Sequence, residues 1–329
     1  MRSFRSSMFE PNEHPILRFP AWLKKPLRQS SRAGELQGLL DDLGVDTVCR
    51  QAGCPNRHEC FTRGTATFLI LGPICTRACG FCAIQPGRPG PPRQDEPERI
   101  AAACQRMGLK HVVMTSVTRD DLPDGGAGHF ARTIRSIRQA AEGATVEVLI
   151  PDFNGAESSI QDVVAAGPDV LGHNIDIVER LHSKIKPQAD YRRSLDVLAS
   201  ARRLAGNLQR DLAIKSGLMA GLGETDEEIT EALLDLRMVG CDIVTIGQYL
   251  SPSPTHLPPA RFVLPSVFDL WRRQALAMGF SAVACGPWVR SSLGAIDLLA
   301  AATASTGERS GSNLAVAEPS NDTGAYTRQ

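Results

Sequence analysis

The 329-residue chain has no run of roughly eighteen or more apolar residues, so no membrane-spanning helix is expected. It has no excess of charge of either sign: 36 Lys and Arg balance 36 Asp and Glu. Without a basic surplus it does not read as a nucleic-acid binder. A secretory signal pattern is also missing. Residues 1–9, with two arginines, three serines and no acid, resemble an organellar transit peptide only faintly. The expected compartment is the cytoplasm.

What the chain does have is enough apolar residue, 42%, to bury a sizeable core, and nine cysteines. Six of the nine fall between Cys49 and Cys82. A disulfide scaffold would be shorter and secreted, so clustered cysteines here read as ligands of a metal or cluster. The other three are weaker candidates. Cys104 falls on the apolar side of a helical stripe and reads as a packed thiol, Cys241 begins a strand, and Cys285 lies late in the chain.

Between residues 66 and 287, short runs rich in Val, Ile, Leu and Thr alternate with helical patterns. Strands are expected over 66–72, 111–117, 145–152, 169–176, 212–220 and 242–250. Ile100, Cys104 and Met107 mark one helix, with Asp95 and Glu98 as its expected cap and Pro97 in the first turn. Phe130, Ile134, Ile137 and Ala141 mark a second. Ile229, Ala232, Leu233 and Leu236 mark a third, opened by a capping box from Thr225 and Glu228. Six strand–helix repeats imply parallel strands with right-handed crossovers, in a closed or nearly closed barrel or an open doubly wound sheet. Residues 1–65 form an N-terminal extension carrying cysteines. Residues 288–302 follow the repeats, and the Ser-, Thr-, Gly- and Asn-rich stretch 303–329 is expected to be disordered.

The cysteines form two triplets. Cys75, Cys79 and Cys82 are spaced C-x3-C-x2-C directly after the first strand, at the end where barrel active sites assemble. Three thiolates on a four-iron cubane would leave one iron open to a small molecule through oxygen and nitrogen. Cys49, Cys54 and Cys60 are spaced C-x4-C-x5-C and need a fourth ligand from elsewhere, His58 being a local candidate. The competing reading is zinc, although structural zinc favours four closed ligands in paired C-x2-C units and neither triplet has that form.

C-x3-C-x2-C with Phe81 before its last cysteine resembles the signature of the radical S-adenosylmethionine (SAM) superfamily, and the upstream triplet narrows the resemblance to the lipoyl synthase family. Further stretches carry it from about Trp22 to Leu293. They include Cys54-Pro-Asn, Arg63-Gly-Thr-Ala-Thr, the run from Arg119 to Phe130, His173-Asn174, the run from Asp190 to Leu195, Lys215-Ser-Gly-Leu-Met and Gly286-Pro-Trp-Val-Arg-Ser-Ser. The resemblance implies a partial (β/α)6 TIM-like barrel of the radical SAM type with N- and C-terminal extensions. It implies two 4Fe–4S clusters and SAM. The cluster on Cys75, Cys79 and Cys82 would cleave SAM to a 5′-deoxyadenosyl radical, which abstracts hydrogen from the sixth and eighth carbons of an octanoyl chain. The auxiliary cluster on Cys49, Cys54 and Cys60 would give up two sulfurs. Its fourth ligand would be a serine of an Arg-Ser-Ser-Tyr motif, here Ser292, with Ser291 as the alternative. Implied partners are octanoylated lipoyl carrier domains of 2-oxoacid dehydrogenase complexes and the glycine cleavage H protein, and a reductant such as ferredoxin or flavodoxin. A divergent radical SAM enzyme, using the auxiliary cluster for electron relay or for another substrate, is the alternative. Leu293 stands where the family has tyrosine, and Gly80 and Ala83 where it commonly has proline and aspartate. Gly53 and Arg50 are also atypical.

Polar residues recur at the expected strand ends: Thr115 and Ser116, His173 and Asn174, Lys215 and Ser216, Gln248 and Tyr249. In a barrel they would converge on one mouth. Thr115, Ser116, Asn174, Lys215 and Ser216 are the candidates to hold SAM, Lys215 by pairing with its carboxylate. The run Arg119-Asp-Asp-Leu-Pro-Asp124 is a candidate to order the site. Gly125, Gly126 and Gly128, and the Gly221-Leu-Gly223 run, match a phosphate loop or dinucleotide motif only weakly.

Overall fold

The computed structural model describes residues 18–24, 31–62 and 65–308. The faint transit-like residues 1–9, Arg63 and Gly64, and most of the stretch expected to be disordered lie outside them.

Seven parallel strands form one sheet in chain order: β1 (Thr67–Ile70), β2 (His111–Ser116), β3 (Thr145–Leu149), β4 (Val170–Gly172), β5 (Ala213–Ala220), β6 (Ile243–Gln248) and β7 (Ala282–Gly286). Helices cross over between successive strands, so the sheet curls as a partial barrel with β1 and β7 at its edges. The first six strands match the expected runs. The seventh is an addition: Ala282–Gly286 is a short Ala/Gly-containing run without strong β propensity, and it is a strand because it pairs with β6 from Ile243↔Ala282 to Gly247↔Gly286.

Register separates two faces. Phe68, Ile70, Val112, Met114, Val146, Val148, Leu171 and Ile214, each fully buried, share the outer face and pack with helix residues such as Ile100, Ile134 and Ile137. The inner face carries His111, Thr115, Glu147, Lys215, Gly217, Thr245 and Gly247. The expected helices form at Glu96–Met107, Ala127–Ala140 and Asp226–Met238, the last with the complete Thr225–Glu228 capping box. Asp95 departs from its expected capping role: its carboxylate accepts from Arg99 Nε at 2.7 Å, and no side-chain cap bond forms.

Both extensions are built onto the edges of the sheet. Thr47 pairs antiparallel with Phe68, and Leu69 N donates to Asp46 O at 2.9 Å, so the chain entering the first cysteine triplet covers β1. After β7 the chain turns and forms the helix Ala295–Glu308, whose Ala302 packs with Ile243 and Ala282. That helix occupies residues 303–308, which composition alone assigned to a disordered tail. Its apolar contact with the sheet offsets the weak local propensity of Ser and Thr.

Candidate active site

Cys75, Cys79 and Cys82 sit on one loop, all partly exposed. The loop is pinched at its base, where Ile74–Cys75 runs parallel to Gln85–Pro86 and Gly87 N donates to Cys75 O at 2.8 Å. Its tip is held by segments that follow several strands. Thr76 N donates to Thr118 O (3.1 Å), Ala78 N to Gln188 Oε1 (2.7 Å) and Gly80 N to Ile185 O (2.8 Å). His256 Nε2 lies 3.1 Å from Cys82 O. The second triplet therefore stands at the C-terminal mouth of the barrel. Gly80 explains one departure from the family pattern, because a proline there would have no N–H for Ile185 and a Cβ would sit 2.9 Å from Leu257 Cδ1.

The charged run after β2 does order this loop. Arg119 donates to Leu71 O (3.0 Å) and Gly90 O (2.9 Å), tying the chain on both sides of the triplet. Asp120 and Asp152 both accept from Arg77. Burial pushes the Asp152 carboxyl upward, but the Arg77 guanidinium outweighs it and holds the group at about 2. Asp124 caps Gly126 N and Gly128 N at 2.9 Å each, so these glycines open a helix and their amides are already occupied. In the Gly221–Gly223 turn, Glu224 takes the amides of Gly221 and Leu222.

The first triplet meets the far end of the chain. Cys49, Cys54 and Cys60 line a cavity with Asn56, Thr67, Arg290, Ser292 and Leu293. Ser292 is among the lining residues; Ser291 and His58 are not. Asn56 Nδ2 donates to Trp288 O at 2.7 Å, and the chain at Val289 and Arg290 lies so close over Gly247 of β6 that a side chain there would collide with it. Three thiols and one hydroxyl on one cavity are a donor set suited to an iron–sulfur cluster. Among the described residues no three His, Cys, Asp or Glu side chains close round a single ion. A cubane attaches each thiolate to a different iron, so its ligands need not converge on one point. Burial pushes the Cys49 thiol above its ordinary value and the Cys79 thiol up to about 12, with Lys186 opposing the rise at Cys79. Metal binding must therefore displace a proton at each.

The strand-end residues divide. Lys215 lies deep on the inner face, where Nζ meets Glu147 Oε1 at 2.7 Å with both side chains almost wholly buried. It pairs with Glu147 and offers no free ammonium to a SAM carboxylate. Thr115 donates to Leu149 O (2.8 Å), and Ser216 donates to His173 O (2.8 Å) while accepting from Ile175 N. These two knit neighbouring strands. Gln248 and Tyr249 hold the following loop through Arg261, Val263 and Leu257. Ser116 Oγ and Asn174 Oδ1 are the two candidates with buried oxygens lacking a hydrogen-bond partner among the described residues. Asn174 reaches over Gly217, where a Cβ would lie 2.9 Å from its Oδ1.

A seven-stranded parallel barrel with a C-x3-C-x2-C loop at its mouth is the architecture of a radical SAM enzyme, and the Radical SAM superfamily model matches residues 69–236. The fold resembles that of HydG, a maturase of the FeFe hydrogenase, with a TM-score of 0.51 at 14% identity over 66% of this chain and 50% of that one. The chain is 50% identical to the lipoyl synthase of Nitratidesulfovibrio vulgaris strain Hildenborough over 86% of its length and 93% of the relative's. It is 53% identical to that of Geotalea uraniireducens over 84% and 96%. It belongs to the lipoyl synthase family.

Proposed function

We propose that Cys75, Cys79 and Cys82 hold the SAM-cleaving cluster of this lipoyl synthase, and that Cys49, Cys54, Cys60 and Ser292 hold its auxiliary cluster. When bound, these 4Fe–4S clusters and SAM supply a 5′-deoxyadenosyl radical and the two sulfurs inserted at the sixth and eighth carbons of an octanoyl chain. Residues 1–65 then serve as the extension that carries the auxiliary cysteines, 66–287 as the barrel, and 288–302 as the segment that returns the serine. Asn174, whose unpartnered oxygen lies over Gly217 on the inner face, meets SAM, while Thr115, Lys215 and Ser216 keep the mouth in shape. The octanoyl-lysine arrives on lipoyl carrier domains of 2-oxoacid dehydrogenase complexes and of the glycine cleavage H protein, and the electron from a ferredoxin or flavodoxin. The cytoplasm suits this work because thiols stay reduced there.

The observation that carries this reading is the shared cavity of Cys49, Cys54, Cys60 and Ser292, which brings a donor set together from opposite ends of the chain. A serine oxygen is a harder and weaker partner for iron than a thiolate, which fits an iron that must leave during turnover. The test is anaerobic turnover with an octanoyl-lysine carrier peptide, read by mass spectrometry, with 5′-deoxyadenosine measured alongside. Replacing Cys75, Cys79 and Cys82 together by alanine abolishes 5′-deoxyadenosine. Replacing Cys49, Cys54 or Cys60 spares it and stops sulfur insertion. Persistence of 5′-deoxyadenosine in the first variant would overturn the assignment, as would wild-type sulfur insertion in the second.

A further inference from the structure

Arg77 lies between two cysteines of the second triplet, yet its side chain is only 6% exposed. Its guanidinium is enclosed by two acids from different loops. Nε and Nη2 donate to Asp120 at 2.9 and 2.8 Å, and Nη1 and Nη2 donate to Asp152 at 2.8 Å each. Nη2 also lies 2.7 Å from Asn154 Oδ1, which shares its two hydrogens with the carboxylates. The acids are themselves braced: Asp120 accepts from Thr76 Oγ1 (3.0 Å) and Asn154 Nδ2 (2.9 Å), and Arg193 Nη1 stands 3.4 Å from Asp152. At the other end of the residue, Arg77 N donates to Cys75 Sγ at 3.4 Å.

Burying the charges of Arg77 and Asp152, with Asp120 partly exposed beside them, is a poor way to gain stability, since apolar residues of the same volume do as well or better. What a planar fork with fixed donors supplies is orientation, because two carboxylates met edge-on leave the cation a single pose. The loop's pinched base fixes the ends, and single hydrogen bonds from Thr76, Ala78 and Gly80 tether the tip; Arg77 adds a many-point, charge-assisted anchor between the first two cysteines. From these contacts we infer that Arg77 is a positioning residue: by docking on Asp120 and Asp152 it sets the angle at which the three cysteines face the barrel mouth. It thereby sets where the radical is released relative to the carbon it must reach. This rests on the assignment of Cys75, Cys79 and Cys82 to the SAM-cleaving cluster.

The test uses the holoenzyme, with Arg77→Lys as the first variant. Lysine keeps the charge and loses the fork. The expected result is a full complement of iron, a changed electron paramagnetic resonance signal when SAM is added to the reduced enzyme, and sulfur insertion lowered about 100-fold, the cost of misplacement by roughly an ångström. 5′-Deoxyadenosine formed per lipoyl product rises, because misdirected radicals are quenched without product. Asp120→Asn, which leaves the Asp152 contacts in place, shifts the same spectrum and ratio by less and covers the case in which Arg77→Lys does not fold. A wild-type spectrum and ratio in a folded Arg77→Lys enzyme would overturn the proposal. So would a loss of both clusters and of thermal stability together, with the wild-type ratio in whatever enzyme remains, since that is what a purely structural arginine predicts. Retention of SAM cleavage when all three cysteines are replaced would instead overturn the underlying cluster assignment.

Discussion

Asn56 and Trp288 are 232 residues apart, and the Asn56 amide donates to the Trp288 carbonyl at 2.7 Å. Asn56 is almost fully buried and follows Cys54 by two positions; Trp288 precedes Ser292 by four. The bond therefore fixes the spacing between the auxiliary cysteines and the serine across the open edges of the barrel. Asn56→Ala leaves a carbonyl without this donor, at a cost of about 1–3 kcal/mol. The expected outcome is preferential loss of the auxiliary cluster. Iron analysis should fall from about eight toward about four per chain, with SAM cleavage retained. Equal loss of both clusters would show that the bond serves the whole fold.

Lys215 and Glu147 give a prediction that separates a structural lysine from a SAM ligand. Lys215→Met leaves Glu147 as a buried charge with His111 Nε2 near it, at 3.6 Å. Breaking such a pair costs about 3–5 kcal/mol. Lys215→Met with Glu147→Gln removes both charges and should recover most of that loss in denaturant unfolding. The double variant should also bind SAM as the wild type does. Weak SAM binding by a stable double variant would return Lys215 to the ligand set.

His173 adds a pH dependence. Its Nδ1 faces Ile150 O at 2.9 Å, and burial, with Lys186 nearby, lowers its pKa to about 4. Below an unfolded value of about 6.5 the unfolded chain takes up a proton that the folded chain refuses. The native state is thus fully favoured above about pH 6.5 and loses stability as pH falls toward about 4, by up to roughly 1.4 kcal/mol per pH unit. Holoenzyme melting temperatures between about pH 7.5 and 5.5 should show this decline, and His173→Gln should flatten it. An unchanged slope in His173→Gln would assign the decline to other groups.

Gly80 predicts how far the family's common proline is tolerated here. Gly80→Pro removes the bond to Ile185 O and presses on Leu257. A lost hydrogen bond alone is worth about 1 kcal/mol. Thermal stability and SAM cleavage should both fall modestly, and Leu257→Ala should relieve the part due to contact. A stabilised Gly80→Pro enzyme would mean that the loop gains more from proline's rigidity than it loses in the bond.

The two cysteine triplets, six of the seven strands and the helices with strong apolar stripes are legible in the sequence, because spacing and periodicity are local properties. The sequence also marked the run from Arg119 to Asp124 as an organiser of the site. Asp120, Asp124 and Arg119 each have a partner in or near the cysteine loop or its neighbouring turns. The partners of the strand-end polar residues emerge only in three dimensions. Lys215, Thr115 and Ser216 look like ligands in one dimension, yet their partners, Glu147, Leu149 and His173, stand on neighbouring strands whose register no local pattern reveals. Arg77 shows the converse. A charged residue among cysteines carries no signal of burial until loops after β2 and β3 bring Asp120 and Asp152 around it. The meeting of Ser292, which the resemblance already favoured, with the first triplet at one cavity, and the strand status of Ala282–Gly286, likewise depend on chain segments far apart in sequence meeting at the open edges of a sheet. Long-range pairing settles such questions because hydrogen-bond partners and burial are set by neighbours in space, whereas motif spacing is set by neighbours in the chain.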